Sequence, residues 1–373
     1  MKEPRVVDMG DGVVVRHATE RDIDAVVASN GMMWSRSDDD EPAEWVMKWT
    51  RLLMDGSHPT TRAHHFTVAE DTRTKKIVSA CGYIPQRWTY GCAEQCEPVF
   101  EFGVGRPEIV QTHRDYRRRG LVRAQFDLLH EQADRLGAEV LVIDGIHQYY
   151  RQFGYEYALE RYPMRRGVLS DVPKLGENES EPVNVREATA GDVDLLARFY
   201  QHAVQRSTVA CVRDADSFRF HLTKQNQAHR RRAAVIETLN GEPIGGLMFS
   251  VGETIGVEIL ELADDASWLT ICRPVMRWLR DTHEDAVFQK YVLQSDHPIY
   301  EVCGRLLGPI EHEVHPAWYI RVVVVAEKTG DFQKRLRFGK ILVRAWVPNP
   351  FTQEIDNIYD ARFGKSAFSS GSA

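Results

Sequence analysis

The stretch EIVQTHRDYRRRGLVRAQF, residues 108–126, carries most of what this chain says about its fold. Its first five residues read as the end of a strand. Its last six open a run with apolar residues at 121, 124, 128, 129, 133 and 136, stopped by Gly137. That spacing is one face of an amphipathic helix. Between strand and helix lies a turn with three consecutive arginines, Arg117, Arg118 and Arg119, followed by Gly120. Unpaired N–H groups and the positive end of the helix dipole meet at such a turn, so it is an anion site before any side chain is counted. Gly120 admits a phosphate to the backbone, and the arginines offer bidentate donors. The same triplet also fits a solvated turn. A second basic triplet, Arg230 to Arg232, has neither a glycine nor a helix start after it.

Elements of alternating type surround this core. Residues 45–54 read as a helix, 65–70 and 76–88 as a strand pair around a polar turn, and 99–112 as a long strand. AEVLVID, residues 138–144, reads as a buried strand. A series of this kind gives an α/β domain, with a mixed sheet of the α+β type and its site at the strand ends.

The series occurs twice. VRHATERDID from Val15 matches VREATAGDVD from Val185, an offset of 170, and each Thr is placed to cap a helix with acids in its first turn. HQYYRQFG from His147 matches HPIYEVCG from His297 at His, Tyr and Gly, an offset of 150. Two matches in one order argue for a duplicated domain. The expected divisions are 1–169, a polar linker at 170–183, a second copy at 184–325 and an extension at 326–373 whose tail is too small and polar to order itself. In the second copy LELADDASWLTI, from Leu260, takes the place of the arginine turn. Asp264 and Asp265 would cap a helix there and repel an anion.

Composition narrows the function. Of 373 residues 43% are hydrophobic, and 54 acids outnumber 47 bases, as in an ordinary soluble globular protein with no general attraction to nucleic acid or membrane surfaces. The six cysteines contain no C-x-x-C pair and read as reduced thiols, so neither a disulfide framework nor a metal centre is expected. The N-terminus lacks the layout of a secretory signal, and the longest aliphatic run, Val322 to Ala326, has the length of a strand. A cytoplasmic protein is expected.

Residues 108–126 resemble motif A of the GNAT acetyltransferases, in which a strand is followed by R/Q-x-x-G-x-G/A and a helix that cradle the diphosphate of coenzyme A. Arg117, Gly120 and Val122 fill the three defined places, Val122 departing from the small residue usual at the third. With YRQFGY from Tyr150, the chain is most similar to the tandem-GNAT, Eis-like acetyltransferases over residues 13 to about 325. The resemblance implies an acetyl-CoA-dependent N-acetyltransferase, acting through its first copy on a primary amine of a small molecule or peptide. It implies that Val110, Gln111 and Thr112 offer backbone groups to the pantetheine and acetyl carbonyl. Arg118, Arg119, Gly120, Leu121, Val122 and Arg123 would line the diphosphate turn, and homo-oligomeric assembly is implied as well. WYIRV at Trp318 resembles the start of that family's sterol-carrier-like third domain, here truncated, so the family's terminal carboxylate base is not carried over.

Tyr150, opening Y-x-x-F-G-Y, matches the family's general acid, with Tyr149, Tyr155 and Tyr157 as neighbours. The chemistry suits it. Thioester aminolysis passes through an oxyanion that a strand N–H can hold, and expels a thiolate whose conjugate acid has a pKa near 8.5. A phenol with pKa near 10 can donate that proton at neutral pH. Glu108 is the candidate base, and reads equally as an exposed strand acid. The rival functions are transfer of another acyl group and a catalytically inactive CoA-binding regulatory or interaction protein.

Overall fold

A computed structural model of the chain describes residues 5–35, 41–91, 99–159, 164–225, 228, 231–294, 296–311 and 318–323. In chain order its strands are β1 (Val7–Asp8), β2 (Val13–His17), β3 (Thr67–Asp71), β4 (Lys76–Tyr90), β5 (Phe100–Thr112), β6 (Val140–Ile143), β7 (Glu156–Leu159), β8 (Met164–Val168), β9 (Val183–Glu187), β10 (Val209–Cys211), β11 (Arg231–Thr238), β12 (Pro243–Ser250), β13 (Thr254–Leu262), β14 (Phe288–Val292) and β15 (Trp318–Val322). The helices that frame the sheets are α1 (Ile23–Met33), α2 (Glu44–Met54), α3 (Leu121–Arg135), α4 (Val193–Arg206), the short α5 (Ala215–Phe220) and α6 (Trp268–Thr282).

Two mixed sheets result. The first runs β1-β2-β3-β4-β5-β6-β15-β7 with β10 paired to β4, and the second runs β8-β14-β13-β12-β11-β9. Each contains one parallel pair, β5 with β6 and β13 with β14, among antiparallel neighbours. The expected helices and strands appear within a few residues of the positions read from periodicity.

The repeat read from residues 15–24 and 185–194 returns in the structure down to its ion pairs. The Thr19 N–H donates to Asp22 Oδ2 and the Thr189 N–H to Asp192 Oδ2, each at 2.7 Å. Arg16 joins Asp22 (2.8 Å) to Glu70 (2.9 Å), while Arg186 joins Asp192 (2.9 Å) to Glu237 (2.7 Å). In both halves a one-turn 3-10 segment lies between the capping Thr and the helix.

The halves are not separable at the boundaries expected from sequence. Residues 164–168 were expected in the first copy, yet β8 pairs with β14 of the second sheet. Residues 318–322 were expected in the second copy, yet β15 lies between β6 and β7 of the first. Each half thus lends the other a strand, because an open sheet edge selects a partner by geometry rather than by nearness along the chain. A third strand crosses as well. β3 covers β4 only as far as Cys81, and β10 fills the open edge further along, pairing with Trp88, Thr89 and Tyr90. Phe220 of α5 is buried in one apolar cluster with Trp49, Leu52 and Leu53 of α2, so the halves share core.

Cys81, Cys211, Cys272 and Cys303 are free thiols. Cys92 and Cys96, and the whole extension 326–373, lie outside the described residues. Among the described residues no helix is long and apolar enough to cross a membrane.

Candidate active site

The site begins where β5 leaves β6. The two strands pair only at Val104 with Val140 and Gly105 with Leu141, while β5 keeps its β4 partner to Thr112. Beyond Gly105 one edge of β5 therefore has no strand partner among the described residues. A bulge accompanies the divergence: Cys81 of β4 stands opposite both Ile109 and Val110, and Ile109 takes φ 50°. A β-branched residue there is strained by about 1–3 kcal/mol and persists only when its surroundings fix it. A buried polar network does so. The Ser79 hydroxyl lies 2.7 Å from the Gln111 carbonyl and from Gln125 Oε1, and 2.8 Å from Thr112 Oγ1. Gln111 Nε2 donates to Asn30, whose amide donates to Thr50 at 3.0 Å.

The turn that follows is built for backbone donation. The Tyr116 hydroxyl donates to Asp71 Oδ2 at 2.7 Å, pinning the chain before the arginines. Arg118 then takes φ 62°, and Gly120, the N-cap of α3, takes φ 76° and ψ 7°. Left-handed residues in such a turn gather N–H groups into an anion-binding hollow. A Cβ at Gly120 would meet nothing nearer than Met9 Cε at 3.7 Å, so the space over the backbone is open.

The arginines are distributed unequally. Arg117 Nε donates to the Thr112 carbonyl at 3.2 Å. Arg119 donates to the Asp115 carbonyl at 3.1 Å and lies over the Tyr116 ring, 4.9 Å from its centroid. Arg123 donates to the Gln152 carbonyl at 3.2 Å and lies over Phe153, which ties α3 to the segment holding Tyr150. Arg118 is exposed, and its guanidinium has no hydrogen bond among the described residues.

Tyr150 belongs to a 3-10 segment, Tyr149–Phe153, entered and left through left-handed residues Gln148 and Gly154. It is 5% exposed, stacks on Phe126 at 6.1 Å and meets Tyr319 edge-on at 5.5 Å. Tyr319 comes from the exchanged strand β15, and its hydroxyl donates to the Ile146 carbonyl at 3.0 Å. The second half thus braces the segment that carries Tyr150. Among the described residues the Tyr150 hydroxyl has no hydrogen-bond partner, and burial, with smaller contributions from Cys81 and Tyr149, pushes its pKa well above that of an ordinary phenol.

A cavity of about 630 Å³ joins these parts. Its lining includes Val110, Gln111, Thr112, Arg117, Arg118, Gly120, Leu121, Val122, Arg123 and Tyr150, all expected from sequence. It also includes Met33 and Trp34 at the end of α1, and Tyr116, Ile146, Tyr149, Gln152 and Phe153. Arg119 and Glu108 are not in the lining. Glu108 accepts from Trp49 Nε1 at 3.3 Å and forms an ion pair with Arg106 at 3.1 Å, and Arg106 is 3.8 Å from Asp144. No group of three or more His, Cys, Asp or Glu among the described residues could hold a metal ion.

No family model matches the chain, and no curated protein matches it. Solved structures do. A GCN5-related N-acetyltransferase from Kribbella flavida superposes with TM-score 0.59 at 17% identity, over 83% of this chain and 71% of that one. Another, from Anabaena variabilis, gives 0.60 at 11%, over 84% and 73%. Eis1 from Mycobacterium abscessus gives 0.52 at 15%, over 84% and 74%. The fold is that of the GNAT acetyltransferases.

Within that GNAT fold the two halves differ at the turn. Eight residues, His113 to Gly120, separate β5 from α3, whereas five, Ala263 to Ser267, separate β13 from α6. The shorter turn contains no glycine and no arginine. Asp264 points into solvent there, 3.8 Å from His202 Nδ1. Tyr300, the counterpart of Tyr150, donates its hydroxyl to the Tyr291 carbonyl at 3.0 Å and accepts from the Leu293 N–H at 3.2 Å. Its oxygen is committed to the fold.

Proposed function

We propose that the chain is an acyltransferase that moves an acetyl group from acetyl-CoA to a primary amine, on a small molecule or a peptide, in its first half. One observation carries this reading. The edge of β5 past Gly105, the left-handed turn before α3 and the hydroxyl of the buried Tyr150, which has no partner among the described residues, converge on one cavity of about 630 Å³. That volume is in the range of small-molecule sites.

The residues present fit the co-substrate. Acetyl-CoA, when bound, supplies an activated acyl thioester. The N–H groups of the turn and first helical turn, with the unengaged Arg118 guanidinium, would hold its diphosphate. The unpaired edge of β5 past Gly105, with Val110, Gln111 and Thr112, would take the pantetheine arm and offer N–H groups to the acyl oxygen. The amine attacks the thioester directly. Tyr150, kept protonated by burial, would give a proton to the departing sulfur. Glu108 is close enough electrostatically to act on Tyr150 and is the candidate acceptor of the ammonium proton, through water.

The reading is tested by incubating the protein with acetyl-CoA and a panel of primary amines and following free thiol. Amine-dependent thiol release, with an acetylated amine identified by mass, supports it. Tight binding of coenzyme A with no release for any amine or acyl donor would make this a binding module instead.

A further inference from the structure

At the seam of the two halves, two arginines from separate elements, Arg213 and Arg106, lie within electrostatic reach of a third, Arg231. Arg106 comes from β5, Arg213 from the segment before α5 and Arg231 from the start of β11. Arg231 feels the positive charges of both Arg213 and Arg106, and Cys211 lies within electrostatic reach of the latter two. The carboxylates nearby are already engaged. Glu108 and Asp144 stand 3.1 and 3.8 Å from Arg106, and Glu258 is 2.9 Å from Arg231. Among the described residues Arg213 has no carboxylate within 4.0 Å. Its guanidinium lies over the Tyr200 ring, 5.4 Å from the centroid. Arg106 Nε is buried without a hydrogen-bond partner among the described residues.

The histidines nearby supply no anion. Burial, aided by Arg62, holds His58 uncharged with a pKa lowered to about 4, and burial also pushes His221 well below the ordinary imidazole value. His58 packs edge-on against Phe220 at 4.9 Å, Phe220 tilts against Trp49 at 6.3 Å, and Arg106 lies over Trp318 at 4.9 Å. A buried guanidinium beside an aromatic ring and other cations, its nearby carboxylate Glu258 already paired with Arg231, favours an added anion. Its planar fork suits a carboxylate or a phosphate.

We infer that the acceptor amine also carries an anionic group, a carboxylate or a phosphate, which binds Arg213 with Arg106 and Arg231. This rests on the acetyl-transfer reading. Arg106 pairs with Glu108 at 3.1 Å, which connects this arginine group to the candidate base.

Matched acceptors test the inference. The kcat/KM values of β-alanine and β-alaninamide are compared, as are those of O-phosphoethanolamine and ethanolamine, with wild type, Arg213→Gln and Arg231→Gln. The anionic member of at least one pair should be favoured about 10-fold or more, the scale of one charged hydrogen bond. The favoured pair tells carboxylate from phosphate. Arg213→Gln should erase the preference through KM rather than kcat, with the acetyl-CoA Kd unchanged as evidence of folding, and Arg213→Lys should restore part of it. A readout free of turnover is calorimetric binding of inorganic phosphate with coenzyme A saturating, which should vanish in both glutamine variants. Transfer to neutral amines without preference, or a preference intact in both variants, overturns the anion site and leaves the acyltransferase standing. Phosphate bound through Arg213 with no transfer to any amine does the reverse. Neither binding nor transfer overturns both.

Discussion

Tyr150 and Tyr300 stand 150 residues apart at matching places in the two halves, yet their hydroxyls have different employment. The first faces a cavity with no partner among the described residues, and the second is bonded to two backbone groups of β14 and the residue after it. The turns before α3 and α6 differ in the same sense: eight residues with three arginines and a left-handed glycine against five with two aspartates. What is kept in both halves is the scaffold, the Thr cap and its Arg–Asp–Glu ion pairs. What differs is the turn before the helix and the bonding of the tyrosine hydroxyl. The second half retains a part in the site through Tyr319 on β15, which braces Tyr150, and through Phe220, which packs on α2.

The sharpest way to break this contrast is to remove both hydroxyls in turn. Tyr150→Phe should lower kcat by about 10²- to 10⁴-fold, the usual contribution of general acid catalysis, with little change in acetyl-CoA affinity. Tyr300→Phe should leave kcat within a few-fold and instead lower stability by about 1–3 kcal/mol, because it strands a carbonyl and an N–H that its hydroxyl satisfied. Thiol-release rates and denaturant melts on the two variants separate these effects. Because burial raises the Tyr150 pKa, its acid form persists as pH rises, so wild-type kcat/KM should not fall on the alkaline side below about pH 10. A pH–rate profile that falls between pH 8 and 9 in parallel with tyrosinate absorbance would contradict the assignment.

Next in size is the turn itself. Arg118→Glu should weaken coenzyme A binding roughly 10- to 100-fold, since it replaces an unengaged charged donor with a repelling acid. Arg119→Glu should do less, because Arg119 is turned onto Tyr116 and the Asp115 carbonyl and is not in the cavity lining. Equal losses in calorimetry would erase the distinction. Gly120→Ala should destabilise the protein by about 1–2 kcal/mol, the strain of a Cβ in the left-handed region, with no steric clash to add to it.

The smallest effect concerns what the halves share. Burial works against ionisation of Asp22, but hydrogen bonds from Arg16 and Thr19 outweigh it and lower its pKa to about 2, while Arg186 holds Asp192 at about 2. Carboxylates depressed in the folded state stabilise it fully above their ordinary pKa, and the contribution fades as pH falls from there through the folded value. Melting temperature should therefore drop between pH 4 and 2, and Asp22→Asn and Asp192→Asn should flatten that slope to similar extents. Unequal flattening would show that the two scaffolds are not equivalent.

Much of this was legible in the sequence because it is local. Apolar periodicity gave α3 and β5, and the spacing of Thr, Asp and Arg gave both capped helix starts, since these depend on residues a few positions apart. Ten of the cavity's lining residues came from one motif and Tyr150. The strand exchange was not legible. β8 and β15 are each five residues long, and nothing within MRRGV or WYIRV says which sheet will offer an edge. Trp34, at the far end of α1, and the seam of Arg106, Arg213 and Arg231 were missed for a related reason: their members are brought together only by packing between distant elements.

The central claim, one working half and one scaffold half, is tested most directly by titrating the protein with coenzyme A in a calorimeter. The account predicts one site per chain, weakened about 10- to 100-fold in Arg118→Glu and untouched by Asp264→Ala. Two sites per chain, or one site that survives Arg118→Glu unchanged, would contradict it.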